Sequence, residues 1–171
     1  MNADQLRALQ APCKARYRED PVSARQTLVA EGSLDVDHAA CRVKTSTAIA
    51  NVGLHPAAGG DGSFACAGDM LLQALVGCAG TTLGAVATAL QIPVRGGTIR
   101  AEGVMDFRGT LGVAKDVDVG FQEIRLTFNL DTDATPEQRD NLLRLTRRYC
   151  VVYQTLVKSP KIAETVSRAN V

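Results

Sequence analysis

The longest uncharged run in the chain extends from Met70 to Val94. It is long enough for a helix to cross a bilayer. However, the run contains glutamines, threonines and three glycines, and Pro93 lies near its end. Small residues are also frequent in it, so the run is a poor candidate for membrane insertion. We interpret the run as a helix at about 68–91 that is apolar on all sides because protein surrounds it. We therefore expect no membrane partner.

Strands are predicted on both sides of this helix by alternation of apolar and polar residues. The predicted extended segments are 26–36, 40–53, 98–107 and 123–130. The first two form a hairpin, because residues 35–38 can turn the chain between them. Two segments rich in glycine, 55–68 and 108–118, are predicted to be loops.

Two further helices are predicted, at 3–18 and at about 136–157. The second begins with a capping signature, in which Thr135 is the N-cap, Pro136 takes the first helical position and Gln138 completes a capping box. Its apolar residues recur at helical spacing, and we expect a kink near Cys150. The element order predicts an α+β fold with helices against an antiparallel sheet. We divide the chain into a helical extension, 1–25, and a single domain, 26–171.

Charge and composition exclude several classes of function. The chain has nineteen basic and eighteen acidic residues, a net charge of +1 and no tryptophan, so we expect no nucleic-acid partner. Its five cysteines are irregularly spaced and form no CxxC pair, which argues against a disulfide framework or a zinc ribbon. The N-terminal residues are polar and unlike a secretory signal. We expect a cytoplasmic protein with reduced thiols.

Two cysteines, Cys78 and Cys150, lie in the two helices that we expect to be central. A free cysteine in an apolar helix usually acts as a small hydrophobic residue. A working thiol needs a lowered pKa and access to its reaction partner. A nearby arginine would supply the first, and Gly77 and Gly80 leave room around Cys78. The residues alone leave both interpretations open.

Other groupings give weaker signals. A zinc site built from His55, Cys66 and Cys41 is conceivable but lacks a recognised ligand spacing. The glycine-rich segment at 59–62 has no lysine of the kind that a phosphate-binding loop uses. We therefore expect neither a metal ion nor an organic cofactor.

Two segments resemble the OsmC/Ohr family. GDMLLQALVGCAGTTLGAVATALQIPV is similar to the family's central helix with its first reactive cysteine, and VGFQEIRLTFNLDTDATPEQRDNLLRLTRRYCVVYQTL is similar to its strand, helix and second cysteine. The resemblance covers about residues 26–160. It implies an OsmC-like fold in which an antiparallel sheet wraps around long central helices, and an intertwined homodimer with sites at the subunit interface.

The resemblance also implies an activity, the thiol-dependent reduction of organic hydroperoxides in oxidative-stress defence. Carried over, Cys78 is the peroxidatic thiol and Cys150 the resolving thiol. A small-molecule hydroperoxide is then the substrate, and an external dithiol is the reductant that regenerates the pair.

The chain differs from the family's usual pattern in the groups near the thiols. The family's Pro-Glu pair at the start of the central helix corresponds to Ala67 and Gly68, with Asp69 next to them. The arginine expected in the N-terminal hairpin has no evident counterpart. The candidates for stabilising the thiolate are therefore Asp69 and one of three arginines, and the sequence does not choose among Arg18, Arg25 and Arg42.

Two more differences concern the thiols themselves. Val151 follows the second cysteine where the family usually has proline. Cys66 lies at the mouth of the central helix as a third thiol, and it is an alternative partner for Cys78. A different class of function is a non-catalytic protein that binds an apolar small molecule at the dimer interface or senses redox state. A cation within reach of Cys78 would favour the enzyme over this alternative.

Overall fold

The computed structural model describes residues 3–35, 40–43 and 52–166. Its helices are α1 (Ala3–Glu19), α2 (Ala67–Ala89), α3 (Phe107–Thr110), α4 (Pro136–Tyr149) and α5 (Val151–Val157). Its strands are β1 (Arg25–Asp35), β2 (Ala40–Val43), β3 (Val52–Gly53), β4 (Ala65–Cys66), β5 (Gly96–Asp106) and β6 (Phe121–Asp131). Short 3-10 turns occupy Pro21–Ala24 and Pro56–Ala58.

Among the described residues, four strands form the main sheet, in the order β2-β1-β5-β6, and all neighbouring pairs are antiparallel. The predicted hairpin is present, because β1 pairs with β2 from Gly32 opposite Val43 to Asp35 opposite Ala40. The α+β fold class with an antiparallel sheet is confirmed.

The extended segment predicted at 40–53 is described only at its two ends. Residues 40–43 form β2 in the main sheet, and β3 pairs in parallel with β4 in a separate two-stranded sheet. Residues 44–51 lie outside the described part of the chain. The loop predicted at 55–68 likewise contains the second 3-10 turn and β4, and α2 begins at its end. Very short elements such as these have too few residues to show a periodic pattern.

The apolar helix α2 lies against the sheet. In its first half, Leu72, Leu75 and Val76 are buried against Ile99 and Ala101 of β5. Among the described residues, α2 is the one helix that is long and apolar enough to cross a membrane. In its most apolar stretch of 18 residues, 44% of the residues are buried inside the protein. The core helix of a globular protein can have the same apolar composition. The contacts of α2 with β5 account for its apolar character in this protein.

The second half of α2 packs against α4. Leu83, Val86 and Ala87 share a buried cluster with Leu142. The capping box predicted for α4 is present: the Thr135 hydroxyl accepts a hydrogen bond from the Gln138 N–H at 3.3 Å, and the Gln138 side chain accepts one from the Thr135 N–H at 2.9 Å.

The predicted helix over 136–157 is broken at Cys150. This residue is extended, with φ −70° and ψ 108°, so α4 ends at Tyr149 and α5 begins at Val151. The Cys150 N–H still donates to the Thr146 carbonyl at 2.9 Å. The Cys150 side chain accepts a hydrogen bond from the Tyr153 N–H at 3.4 Å and so caps α5. A kink was expected here, and the structure has a complete break between two helices.

The first helix, α1, is continuous through Pro12. Its last turn is anchored by Tyr17, which is fully buried in a cluster with Ala24, Phe107 and Leu111. The Tyr17 hydroxyl donates a hydrogen bond to the Ala57 carbonyl. The predicted helical extension is therefore packed onto the segment that precedes α2.

Candidate active site

The thiols of Cys78 and Cys150 face each other between α2 and the α4–α5 break. Cys78 lies near the middle of α2 and is half-buried, whereas Cys150 is fully buried. The two side chains are close enough for each thiol to shift the pKa of the other. Both cysteines are free in this structure. The arrangement is that of a reduced dithiol whose two sulfurs are neighbours.

The surroundings of Cys78 favour its thiolate. Burial alone would raise its pKa, but it is opposed by donors: the Val152 N–H, the Cys150 thiol, the Thr82 hydroxyl and the Val151 N–H. Together these donors hold the pKa of Cys78 below its usual value.

The surroundings of Cys150 favour its protonated form. Burial raises the pKa of Cys150 to about 11, and the neighbouring Cys78 adds to this effect. The Tyr153 N–H, which donates to the Cys150 sulfur, opposes it in part. Loss of a proton is therefore favoured at the more accessible sulfur of Cys78, and the buried Cys150 holds its proton more tightly. A thiolate is the nucleophilic form of cysteine, so these surroundings favour Cys78 over Cys150 as a nucleophile.

Local structure explains why these donors converge. Thr82 follows Cys78 by one helical turn, so both side chains lie on one face of α2. The break at Cys150 places Val151 and Val152 in the first turn of α5, where N–H groups have no partner within the helix. The Val152 side chain packs against the buried cluster formed by α2 and β5.

The third thiol, Cys66, is far from this pair. It is the N-cap residue of α2, twelve residues before Cys78. At a rise of about 1.5 Å per residue, twelve residues of helix separate the two positions by about 18 Å. Within one subunit Cys66 is therefore not placed beside Cys78 as an alternative partner. The separation is too large for a disulfide without rearrangement of the helix.

Asp69 also lies at the start of α2, about 14 Å along the helix from Cys78. Burial raises its pKa, and nearby His55 opposes the shift. Burial lowers the pKa of His55 in turn. A cavity of about 290 Å³ is lined by Asp69, His55, Cys66, Phe64 and other residues. Asp69 thus belongs to a cavity at the opening of α2, with His55 as its electrostatic partner.

The candidate arginines are placed as follows. Arg18 is exposed in the last turn of α1. Arg25 begins β1 opposite Asp106, where it adds to the effect of Arg108 in lowering the pKa of that carboxyl. Arg42 lies in β2. The donors that the described residues supply to Cys78 are neutral, and Arg18 and Arg25 are not among them.

Sequence reasoning missed Thr82, Val151 and Val152 as part of the site. The spacing of four residues between Cys78 and Thr82 was a usable signal, since such pairs are neighbours on a helix. The two main-chain donors had no signal in the sequence, because they depend on where α4 ends.

A family model described as OsmC-like protein matches residues 60–165, more than half of the chain. The chain therefore belongs to the OsmC-like family, as its two cysteine segments had indicated. A similar solved structure is that of an OsmC-like hydroperoxide resistance protein from Jannaschia sp. CCS1, with a TM-score of 0.61 and 16% identity. The match covers 86% of this chain and 97% of the other.

At this identity the structural likeness shows the fold, and it confirms the prediction of an OsmC-like architecture. No curated protein sequence matches the chain.

Proposed function

We propose that this protein reduces organic hydroperoxides by a two-cysteine mechanism, with Cys78 as the peroxidatic thiol and Cys150 as the resolving thiol. The main support is the division of charge between the two sulfurs: Cys78 favours the thiolate, and Cys150 beside it keeps its proton. Family membership points to peroxide chemistry. The relative from Jannaschia is described as a hydroperoxide resistance protein.

In the first step the Cys78 thiolate attacks one peroxide oxygen. An S–O bond forms, the O–O bond breaks, and Cys78 becomes a sulfenic acid. The departing alkoxide takes a proton and leaves as an alcohol. The Cys150 thiol is a suitable donor, because it lies within reach of the reacting sulfur. Losing that proton makes Cys150 a thiolate, which prepares it for the next step.

In the second step the Cys150 thiolate attacks the Cys78 sulfenic sulfur. An S–S bond forms, the S–O bond breaks, and the hydroxide that leaves is protonated to water. An external dithiol then reduces the disulfide and becomes a disulfide itself. The overall reaction turns one hydroperoxide and one dithiol into an alcohol, water and an oxidised dithiol. We place it in the cytoplasm, where dithiol reductants are abundant.

The surface around Cys78 favours an apolar substrate. Ala74 and Ala85 are exposed on the same side of α2, and Val151 of α5 is 71% exposed. An alkyl or aryl group buries this surface favourably, whereas hydrogen peroxide has no such group. We therefore propose organic hydroperoxides as the preferred substrates.

We also propose that the chain works as a homodimer. One side of α2 is uncovered, and its exposed residues are apolar or small; they include Ala67, Met70, Leu71, Ala74, Thr81 and Ala85. Met70 and Leu71 are 37% and 39% exposed. A second copy that covers this stripe would bury apolar surface and enclose Cys78 in a pocket between subunits.

A second candidate is a protein of the same fold that binds an apolar molecule or senses redox state without turnover. It is favoured by one observation, that the donors shown for Cys78 are uncharged. An uncharged site stabilises a thiolate less strongly than a site with an adjacent cation.

Consumption of cumene hydroperoxide with excess dithiol tests the proposal. The parent should turn over repeatedly, and faster with cumene hydroperoxide than with hydrogen peroxide. Cys78→Ser should be inactive, Cys150→Ser should stop after one turnover, and the control Cys66→Ser should match the parent. If Cys78→Ser consumes peroxide as fast as the parent, or the parent is inactive with several dithiols, the second candidate replaces the first.

A further inference from the structure

The His55 ring is held in a fixed orientation at the turn that precedes β4. His55 is the N-cap residue of the 3-10 turn Pro56–Ala58, and its Nδ1 accepts a hydrogen bond from the Ala57 N–H at 3.0 Å. The ring also stacks on Phe107 of α3, with the two ring centroids 4.9 Å apart. A ring nitrogen that accepts from an N–H carries no proton, so the neutral His55 ring carries its hydrogen on Nε2.

The turn that His55 caps is also the point at which α1 is attached. The Ala57 carbonyl accepts the hydrogen bond from the buried Tyr17 hydroxyl, and the N–H of Ala57 donates to His55. Ala57 and Ala58 are 7% and 3% exposed, and both lie in the buried cluster that contains Tyr17 and Phe107. Ala57 therefore connects the histidine ring to the anchor of α1.

Protonation of His55 is incompatible with this arrangement. A charged imidazole has N–H groups at both ring nitrogens, so Nδ1 can no longer accept from the Ala57 N–H. Two N–H groups would then face each other across 3.0 Å. Rotation of the ring away from Ala57 would break its stacking on Phe107. Burial lowers the pKa of His55 below the usual value of 6.5, so the ring is neutral at pH 7.5 and takes a proton in acid.

The surroundings of His55 contain charges of both signs. Among the described residues, the titratable groups on the elements packed around it are Cys13, Arg16 and Tyr17 of α1, Cys66 and Asp69 at the start of α2, and the Asp106–Arg108 ion pair at α3. Asp69 shares a cavity with His55, and its carboxylate favours the charged ring. Arg16 shares a second cavity, of about 420 Å³, with His55. As a cation, Arg16 disfavours the charged ring.

We infer that His55 is a pH switch for the attachment of α1: the neutral ring holds the Pro56–Ala58 turn and, through it, Tyr17, and the protonated ring releases both. The inference goes beyond the proposed function and does not depend on it. The end of α1 should loosen in acid while α2 and α4 stay folded, because their buried clusters contain neither His55 nor Tyr17. Folding favours the neutral ring, so this contribution to stability is complete above pH 6.5 and is lost as the pH falls.

The first test is amide hydrogen exchange at pH 7.5 and 5.0, corrected for the intrinsic exchange rate at each pH. Relative to α4, the protection of residues 13–19 should fall about fivefold in acid, the fold-change that corresponds to loss of a typical N-cap. His55→Asn keeps a side-chain acceptor at the N-cap and does not titrate in this range, so its protection should not change with pH. His55→Ala should have the low protection at both pH values. His38→Asn, which removes the other histidine, is the control and should match the parent.

The second test follows the proton by NMR. The His55 ring signals and the Ala57 amide signal should titrate together, with one midpoint below pH 6.5, because the amide donates to the nitrogen that takes the proton. Asp69→Asn should move this midpoint to lower pH, since the Asp69 carboxylate favours the charged ring. Glu137→Gln, which removes an exposed carboxylate on α4, should leave the midpoint unchanged.

The inference is overturned if the Ala57 amide does not titrate with His55. It is also overturned if α1 of folded His55→Asn loses protection in acid as the parent does, or if His55→Ala keeps the protection of the parent at pH 7.5. An equal loss of protection in α1 and α4 of the parent at pH 5.0 would mean general acid unfolding and would exclude a local switch. Circular dichroism reports whether each variant is folded, and peroxidase activity enters none of these measurements.

Discussion

Cys150, fully buried at the junction of α4 and α5, is a neighbour of the half-buried Cys78 on α2, and each thiol shifts the pKa of the other. The two thiols are neighbours, but their surroundings shift their pKa values in opposite directions. The donors at Cys78 outweigh the effect of its burial on the pKa, whereas at Cys150 burial outweighs the main-chain donors, the Tyr153 and Val152 N–H groups. In the proposed mechanism this asymmetry makes Cys78 the nucleophile and lets Cys150 keep its proton until the alkoxide leaves.

The stoichiometry of oxidation should reflect this pairing. One equivalent of cumene hydroperoxide should remove two free thiols from the parent, because the Cys78 sulfenic acid condenses with Cys150. In Cys150→Ser the same equivalent should remove one thiol and leave a sulfenic acid that dimedone labels at Cys78. Thiol counting and peptide mass spectrometry measure both. Labelling of Cys66 in place of Cys78 would contradict the assignment, and Cys66→Ser serves as the matched control.

Stability should fall at alkaline pH because of Cys150. Its pKa is about 11 in the folded protein, above the value of 9.0 for an unperturbed thiol. A group whose pKa is raised by folding stabilises the folded state below its unfolded pKa, and this contribution is lost as pH rises from 9 to 11. The loss should be on the order of 1–3 kcal/mol.

Urea unfolding at pH 8.5 and 10.5, with reductant present, measures this loss. Tyr17 is a second contributor, because its burial also raises its pKa. Cys150→Ser removes the first contribution and retains the second, so its stability should decline less than that of the parent. An equal decline in both proteins would refute the assignment to Cys150.

The N-terminal helix should contribute to stability through Tyr17. Its hydroxyl is buried and donates to the Ala57 carbonyl, so Tyr17→Phe leaves that acceptor without its donor. We expect a loss of about 1–3 kcal/mol in the free energy of unfolding. Tyr149→Phe is the matched control, since Tyr149 is 57% exposed and should change stability by less than about 0.5 kcal/mol. A loss no greater than that of the control would mean that α1 is only loosely attached.

The sequence predicted the elements with strong periodicity and failed where an element is short or ends by tertiary contact. The uncharged run correctly predicted α2, and the Thr135–Gln138 capping signature correctly predicted the start of α4. The break at Cys150 could be expected only as a kink, because no glycine or proline marks it. It depends on Cys150 taking an extended conformation while its side chain caps α5.

The same limit applies to the site. The pairing of Cys78 with Cys150 was expected from the resemblance to a family, and the residues alone left it open. The donors at Val151 and Val152 are main-chain groups, and side-chain identity does not encode which N–H groups are unpaired. Arginines can be identified directly in a sequence, and Arg18 and Arg25 were therefore candidates for stabilising the thiolate. Arg25 lies instead opposite Asp106.

The uncovered side of α2 should be a subunit interface. Ala74 is exposed on this stripe, between Leu71 and the half-buried Cys78. The parent should have twice the 18.1 kDa mass of the chain in solution, because a second copy buries the apolar stripe. Ala74→Arg places a charge where the other subunit packs and should give a monomer, since an unpaired buried charge is costly.

Light scattering after gel filtration at micromolar concentration measures the mass. Thr110→Arg, which adds the same charge at an exposed site outside α2, should remain dimeric. Loss of activity in the monomeric Ala74→Arg variant, with the dithiol and peroxide unchanged, would indicate that the pocket around Cys78 needs both subunits. A parent of monomeric mass would refute the dimer, and the exposed stripe on α2 would then be available to another partner.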